Sequence, residues 1–388
     1  MNNRQLFLQH VAQTSESPIG IEMVEAAGVT LTDVHGKTYT DFIAGFSVCN
    51  IGHSHPEVVK AVQEQAAKYM HLIVYGEFIE SPQVQYAALL ASHLPQNLDC
   101  VYFTSSGAEA TEGALKLAKR VTGKTKILAC NKAYHGSTQG ALSVMGDEYF
   151  KHAFRPLLPD ILQLRYNNFE DIELIDDTVA CVLVELVQAE TGITPAHKEW
   201  VAALKKKCES LCALLIVDEI QSGFGRTGTL FAFEQYGITP DVLLTGKALG
   251  GGLPLGAFIS SEKMMQCLTY APVLGHITTF GGNPVSCAEG HAALEVLLTS
   301  NWIQEVKENP YSTISFRHLM KMTDSRGILE HAHHTTPRFS HGYCSDDNAR
   351  LLVLTSRVKG TSTGSEALAH TALRFLLDAQ HPDGTIHN

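Results

Sequence analysis

The sequence predicts an α/β fold, and three observations carry that prediction. Five short apolar runs, Val101–Thr104, Ile127–Cys130, Ala180–Val184, Leu214–Val217 and Val242–Thr245, read as buried strands. Stretches of helical period precede or separate them, among them Glu57–Met70, Ser81–Leu94 and Ser105–Arg120. The chain has 388 residues, 45% hydrophobic and 18% charged, which suffices for two domains and a large core.

Composition narrows the function. Twenty-nine basic residues against 40 acidic ones give a formal charge of -11. That balance argues against general affinity for nucleic acid or an anionic membrane, both of which need clustered Lys and Arg. The N-terminus has no long apolar core or small-residue cleavage site, and no run of about 18 apolar residues occurs anywhere, so a cytoplasmic protein is expected. Nine scattered cysteines, the nearest pair being Cys208 and Cys212, read as buried thiols in a reducing compartment. His331, His333 and His334 lie in a polar loop without companion cysteines, and no metal site is expected. The expected divisions are an N-terminal segment over 1–50, a large domain over 51–308 and an atypical C-terminal segment over 309–388.

Residues 21–56 alternate apolar and polar positions around Gly28 and His35-Gly36, as short strands folding back on one another, and a loop then enters a helix at Pro56. His53 and His55 in that loop suit loop and capping roles. In Ser105–Arg120 (SSGAEATEGALKLAKR) a β-rich run gives way abruptly to helical period. Strand, glycine turn and helix aim free amides and the positive end of a helix at a phosphate, so Ser106, Gly107 and Ala108 form the candidate cradle. After the next strand, in NKAYHGSTQGA, Tyr134 offers a flat ring with His135 beside it. Glu185 ends the strand Ala180–Val184. Trp200–Cys212 reads as an amphipathic helix whose Lys205, Lys206 and Lys207 form a solvated face.

The chemistry concentrates in residues 216–256, IVDEIQSGFGRTGTLFAFEQYGITPDVLLTGKALGGGLPLG. Asp218 stands at the mouth of one apolar strand and Lys247 at the mouth of another, followed by glycines that let the backbone turn sharply. An amine and a carboxylate at neighbouring strand ends are what pyridoxal 5'-phosphate (PLP) needs: the amine forms the Schiff base, and the carboxylate keeps the pyridine nitrogen protonated.

In this order, SGAEA, YHG, VDEIQSGFGRTG, TGKALGGGLPLGA and HITTFGGNP resemble the class III aminotransferases of PLP fold type I, over roughly residues 1–305. The resemblance implies a mostly parallel seven-stranded sheet with helices on both faces and the cofactor at the carboxyl ends of the strands. It implies amino transfer from an amine or amino acid to a 2-oxo acid such as 2-oxoglutarate, with Lys247 and Asp218 catalytic. Tyr134 would stack on the cofactor, Gln221 would bond its phenolic oxygen, and Glu185 would lie near it. Glu190 would pair with a C-terminal arginine, although Leu186 and Ala189 replace the usual proline and glycine. Thr279 would bind the phosphate in the partner subunit of a homodimer. Tyr75, in a segment that lines the family's substrate pocket, reads equally well as a core residue, and Arg226 as a surface ion pair or an active-site group. Ornithine and acetylornithine aminotransferases carry Arg after the His-Gly pair to grip a substrate carboxylate. Ser137 stands there, and a hydroxyl cannot act as a bidentate clamp.

The expected arginine-led strand and Pro-Pro pair are missing from residues 309–388. Those residues, through MTDSRGILEHA, HGYCSDDNAR and DAQHPDGTIHN, resemble instead the beginning of a six-hairpin glycosidase-like helical toroid. Asp346 and Asp347 would then be its candidate carboxylates, or simply helix caps. Without the usual lid, PLP binding is better supported than turnover. An aminomutase, decarboxylase or racemase on the same residues, a non-catalytic PLP-binding remnant, and a carbohydrate-active tail are the alternatives.

Overall fold

The computed structural model describes residues 2–308 together with 323, 332–333, 336–337 and 365–378. It divides into two units, Met1–Val306 and Lys307–Asn388. In chain order the strands of the first are β1 Met23–Ala27, β2 Thr30–Asp33, β3 Thr38–Thr40, β4 Cys100–Thr104, β5 Lys126–Cys130, β6 Ile161–Leu164, β7 Val179–Glu185, β8 Val187–Gln188, β9 Thr194–Pro195, β10 Leu214–Asp218, β11 Val242–Thr245 and β12 Gly256–Ser260.

Seven strands form one sheet in the order β4-β12-β11-β10-β7-β5-β6. All are parallel except β12, which runs against both neighbours. The link from Thr245 to Gly256 is too short for the helical crossover that a parallel neighbour requires, so the chain turns straight back. Every residue of β7, β10, β11 and β12 is buried, as a sheet covered on both faces demands. Side chains alternate between the faces: Val182, Val184, Leu215, Val217 and Leu243 share a core with Trp200 and Leu204. Cys181, Leu183, Leu214, Ile216 and Leu244 meet Ala110, Ala114 and Leu117 on the other side. Two strands absent from the sequence reading, β6 and β12, have weak local signals, because one contains Gln163 and the other begins on glycine.

Helix Gly107–Thr122 follows β4. The Ser106 side chain caps it by accepting from the Glu109 amide, and Gly123, at φ 69°, ends it. Helices Pro56–Lys68, Ser81–Ser92 and Pro284–Thr299 pack together, and the buried Tyr86 hydroxyl donates to the Leu249 carbonyl at 2.6 Å. Helix Lys198–Ser210 corrects one expectation: Lys205 is mostly buried and bonds both Asp241 oxygens at 3.0 Å, while Lys207 pairs with Glu173 at 2.7 Å. Two of the three lysines are thus held by ion pairs, while Lys206 is exposed as expected.

Strands β1, β2 and β3 make a separate antiparallel meander. Beyond it Ala44, Gly45, Phe46 and Ser47 take φ of 47°, 59°, 60° and 67°, a left-handed turn that costs about 1–2 kcal/mol for each residue bearing a side chain. Helix Asn3–His10, capped reciprocally by Asn2 and Gln5, is a further element the sequence reading passed over.

In the second unit Ala332–His333 pairs antiparallel with Thr336–Pro337, and helix Ser365–Asp378 buries Leu368 and Ala372. His331, His334, Asp346 and Asp347 lie outside the described residues. Among the described residues no group of His, Cys, Asp and Glu could hold a metal, and no helix is long and apolar enough to cross a membrane.

Candidate active site

Parallel strands put their carboxyl ends on one edge of a sheet, and side chains at those ends share a crevice. Asp218 and Glu185 are the last residues of β10 and β7 and sit opposite each other in register. Lys247 follows β11, Gly107 follows β4, and Tyr134 and His135 follow β5. These residues, with Ala108, Gly136, Ser137, Val187, Ile220, Gln221 and Ser222, line a cleft of about 340 Å³.

The floor is charged and buried. His135 Nδ1 donates to Asp218 Oδ2 at 2.7 Å, and the two side chains are 0% and 4% exposed. Burial by itself lowers the His135 pKa, but the bond to Asp218 and the charges of Asp218 and Glu185 carry it above the usual histidine value. The imidazole thus shares its proton with Asp218, and its Nε2 is buried without a partner among the described residues. Burial pushes Glu185 up to about 7, with Asp218 adding to the shift and His135 opposing it. Glu185 Oε2 accepts from the Tyr134 amide at 3.3 Å, and the second Asp218 oxygen accepts from the Ile220 amide at 3.0 Å.

Lys247 is half-buried and holds φ 48°. Non-glycine residues adopt that conformation only where their surroundings impose it, and such strain concentrates at functional sites. Its pKa is lowered, chiefly by desolvation, against the opposing charges of Asp218, Glu185 and Glu190. Its Nζ donates to Gln221 Oε1 at 3.3 Å, and Gln221 Nε2 donates to Ser47 Oγ at 3.3 Å.

The remaining candidates divide. Gly107 and Ala108 line the cleft, and as first-turn residues their amides have no intrahelical acceptor. Ser106 does not line it, because its hydroxyl caps the helix. Tyr134 lines the cleft at 43% exposure, its hydroxyl 3.3 Å from Ser137 Oγ. Glu190 has no ion pair among the described residues, and Arg226, also without one, donates to Asn50 Oδ1. Tyr75 lines a separate hollow with Val74, Gln83 and Phe103. Thr279 is exposed and outside the cleft of its own chain. His53 pairs with Asp41 at 2.8 Å, and His55 is the N-cap residue of Pro56–Lys68 without a side-chain capping bond. Sequence reasoning missed Ser47 and Ile220: Ile220 lies inside VDEIQSGFGRTG but is an apolar residue with no chemistry to mark it, and a distant loop delivers Ser47.

The chain matches the class-III aminotransferase family over residues 11–323, further toward the C-terminus than the sequence motifs reach. An acetylornithine aminotransferase of Bacillus anthracis is 42% identical over 289 residues, covering 74% of this chain and 73% of that one. A succinylornithine transaminase of Citrobacter koseri is 41% identical over 292 residues, 74% of this chain and 70% of that one. Ornithine aminotransferase from Toxoplasma gondii, crystallised with PLP at partial occupancy, superposes with a TM-score of 0.75 at 28% identity, covering 90% of this chain and 84% of that one. An omega-transaminase from Thermomicrobium roseum gives 0.73 at 26% identity over 96% and 97%. The chain belongs to the class III aminotransferases and is a PLP-dependent transaminase acting on an amino donor and a 2-oxo acid.

Proposed function

We propose that the cleft at the carboxyl ends of β4, β5, β7, β10 and β11 is the transamination site, with Lys247 and Asp218 as its catalytic pair. Three features of the cleft fit PLP. The amides of Gly107 and Ala108 and the start of a long helix suit its phosphate. Tyr134 offers an accessible ring face. An anionic floor of Asp218, backed by His135, suits a protonated ring nitrogen. Bound PLP supplies an electron-withdrawing ring that stabilises negative charge at the donor carbon.

The chain's own groups do the rest. Asp218 holds the proton on the ring nitrogen, and His135 holds Asp218 in place. Lys247 Nζ, its ammonium form disfavoured by burial, moves the proton to and from the reacting carbon. Gln221 bonds the phenolic oxygen and Tyr134 stacks. Gly107 and Ala108 hold the phosphate, with Ser106 fixing the helix start that presents their amides, and Glu185 closes the floor. Thr279 serves the second copy of a homodimer: it is exposed in a loop with Val273, Leu274, Ile277 and Phe280, a face apolar enough to be covered. The eight described cysteines are all unpaired, which supports a cytoplasmic setting.

The observation that carries this reading is the strained, half-buried Lys247 beside the paired ends of β7 and β10. Lys247→Ala should abolish the visible absorbance of protein-bound PLP and cost about 10²–10⁴-fold in rate. Acetylornithine and succinylornithine, the compounds for which the relatives are named, head the donor panel. A variant that keeps the band and turns over as before would overturn the assignment.

A further inference from the structure

The left-handed turn Ala44–Ser47 persists because its surroundings over-determine it. Asp41 does most of this. Its carboxylate accepts from the amides of Ile43 and Gly45 at 3.0 Å each and from His53 Nε2 at 2.8 Å, and the side chain is 6% exposed. His53 is itself fixed by reciprocal backbone bonds with Gly28, of 2.8 and 2.9 Å. The same segment is stitched to the loop after β10, since Asn50 Nδ2 donates to the Phe224 carbonyl at 2.9 Å.

What the turn delivers is one hydroxyl. Ser47 is buried, and its Oγ accepts a hydrogen bond from Gln221 Nε2, while Gln221 Oε1 accepts one from Lys247 Nζ. The two ends of a carboxamide have nearly the same shape and opposite hydrogen-bonding character. Reversed, the Gln221 amide would point its NH2 group at the protons of Lys247. The Lys247 ammonium donates only and so selects the oxygen end; Ser47 holds the other end, with one Nε2 proton engaged there and the second remaining for a ligand in the cleft.

We propose that Ser47 is a positioning residue that anchors the Gln221 amide with its oxygen toward Lys247, and that the turn clamped by Asp41 and His53 holds it there. The proposal rests on Lys247 being the cofactor lysine, and its test separates the two ideas. PLP is titrated into cofactor-free protein, with binding followed by fluorescence, for Ser47→Ala, Ser47→Gly, Gln221→Ala and the double variant Ser47→Ala/Gln221→Ala. The pH midpoint of the visible band of each loaded protein is recorded alongside.

Ser47→Ala should weaken PLP binding roughly three- to tenfold, the worth of one hydrogen bond, and shift the band midpoint. The double variant should bind no more weakly than Gln221→Ala alone, because Ser47 acts through Gln221. Ser47→Gly relaxes the left-handed strain without restoring the hydroxyl, so it should resemble Ser47→Ala. Additive losses in the double variant, or a Ser47→Gly protein with wild-type affinity and midpoint, would show a purely structural turn and overturn the proposal. Unchanged binding and band in Lys247→Ala would instead overturn the site assignment, and this proposal with it.

Discussion

Gly136 shows what one residue decides. It lies between the Tyr134-His135 pair and Ser137 at φ 125°, where a Cβ would come within 2.6 Å of the Ala108 Cβ. Only glycine combines that backbone with that contact, and the contact joins the loop after β5 to the helix start after β4. Gly136→Ala should lose about 1–3 kcal/mol to overpacking and weaken PLP binding, both measurable by denaturant titration and cofactor titration of the same sample. The residues themselves were legible as chemistry: Tyr134 before His-Gly offered a ring to stack on a cofactor. Their partners were not, since Ala108 and Gly136 meet only once β4 and β5 lie in one sheet.

Among the elements, the loop from Glu219 to Tyr236 depends on a buried acid. Glu219 is wholly buried, and its carboxyl accepts from the Ala232 amide at 2.6 Å and the Phe233 amide at 2.7 Å. Burial pushes its pKa up to about 8, with the two amides opposing. Glu219→Ala leaves two buried amides without an acceptor, at about 1–3 kcal/mol each. Glu219→Gln keeps a carbonyl oxygen and should cost clearly less. The urea midpoint should fall in that order with an unchanged slope. A milder Ala than Gln would remove the capping role. In the sequence this Glu was only the companion of Asp218, because capping a turn 13 residues on is a property of the folded loop.

At the scale of the molecule the buried acids set a pH dependence. Burial raises Glu185 and Glu289 to about 7 and Glu219 to about 8. An acid whose folded pKa lies above its unfolded value binds more protons when folded. Its contribution is therefore full below the unfolded value and is lost as pH rises through the folded one. Asp41 and Asp171, lowered by their bonds to His53 and Arg165, act in the opposite sense and lose theirs as pH falls. The thermal midpoint of the cofactor-free protein should decline from about pH 5 to about pH 8. A midpoint that rises across that range would contradict the burial of these acids.

Sequence alone determined the strands that are apolar throughout, the helices of clear period, the order of the motifs and the residue types at each strand mouth. Those signals are local, and local chemistry leaves them little choice. Folding alone decided the reversal of β12, the addition of β6 at the sheet edge, the His135–Asp218 pairing across 83 residues and the delivery of Ser47 to Gln221 across 174. Each depends on which distant segments come to share one edge of the sheet, and no spacing along the chain encodes that.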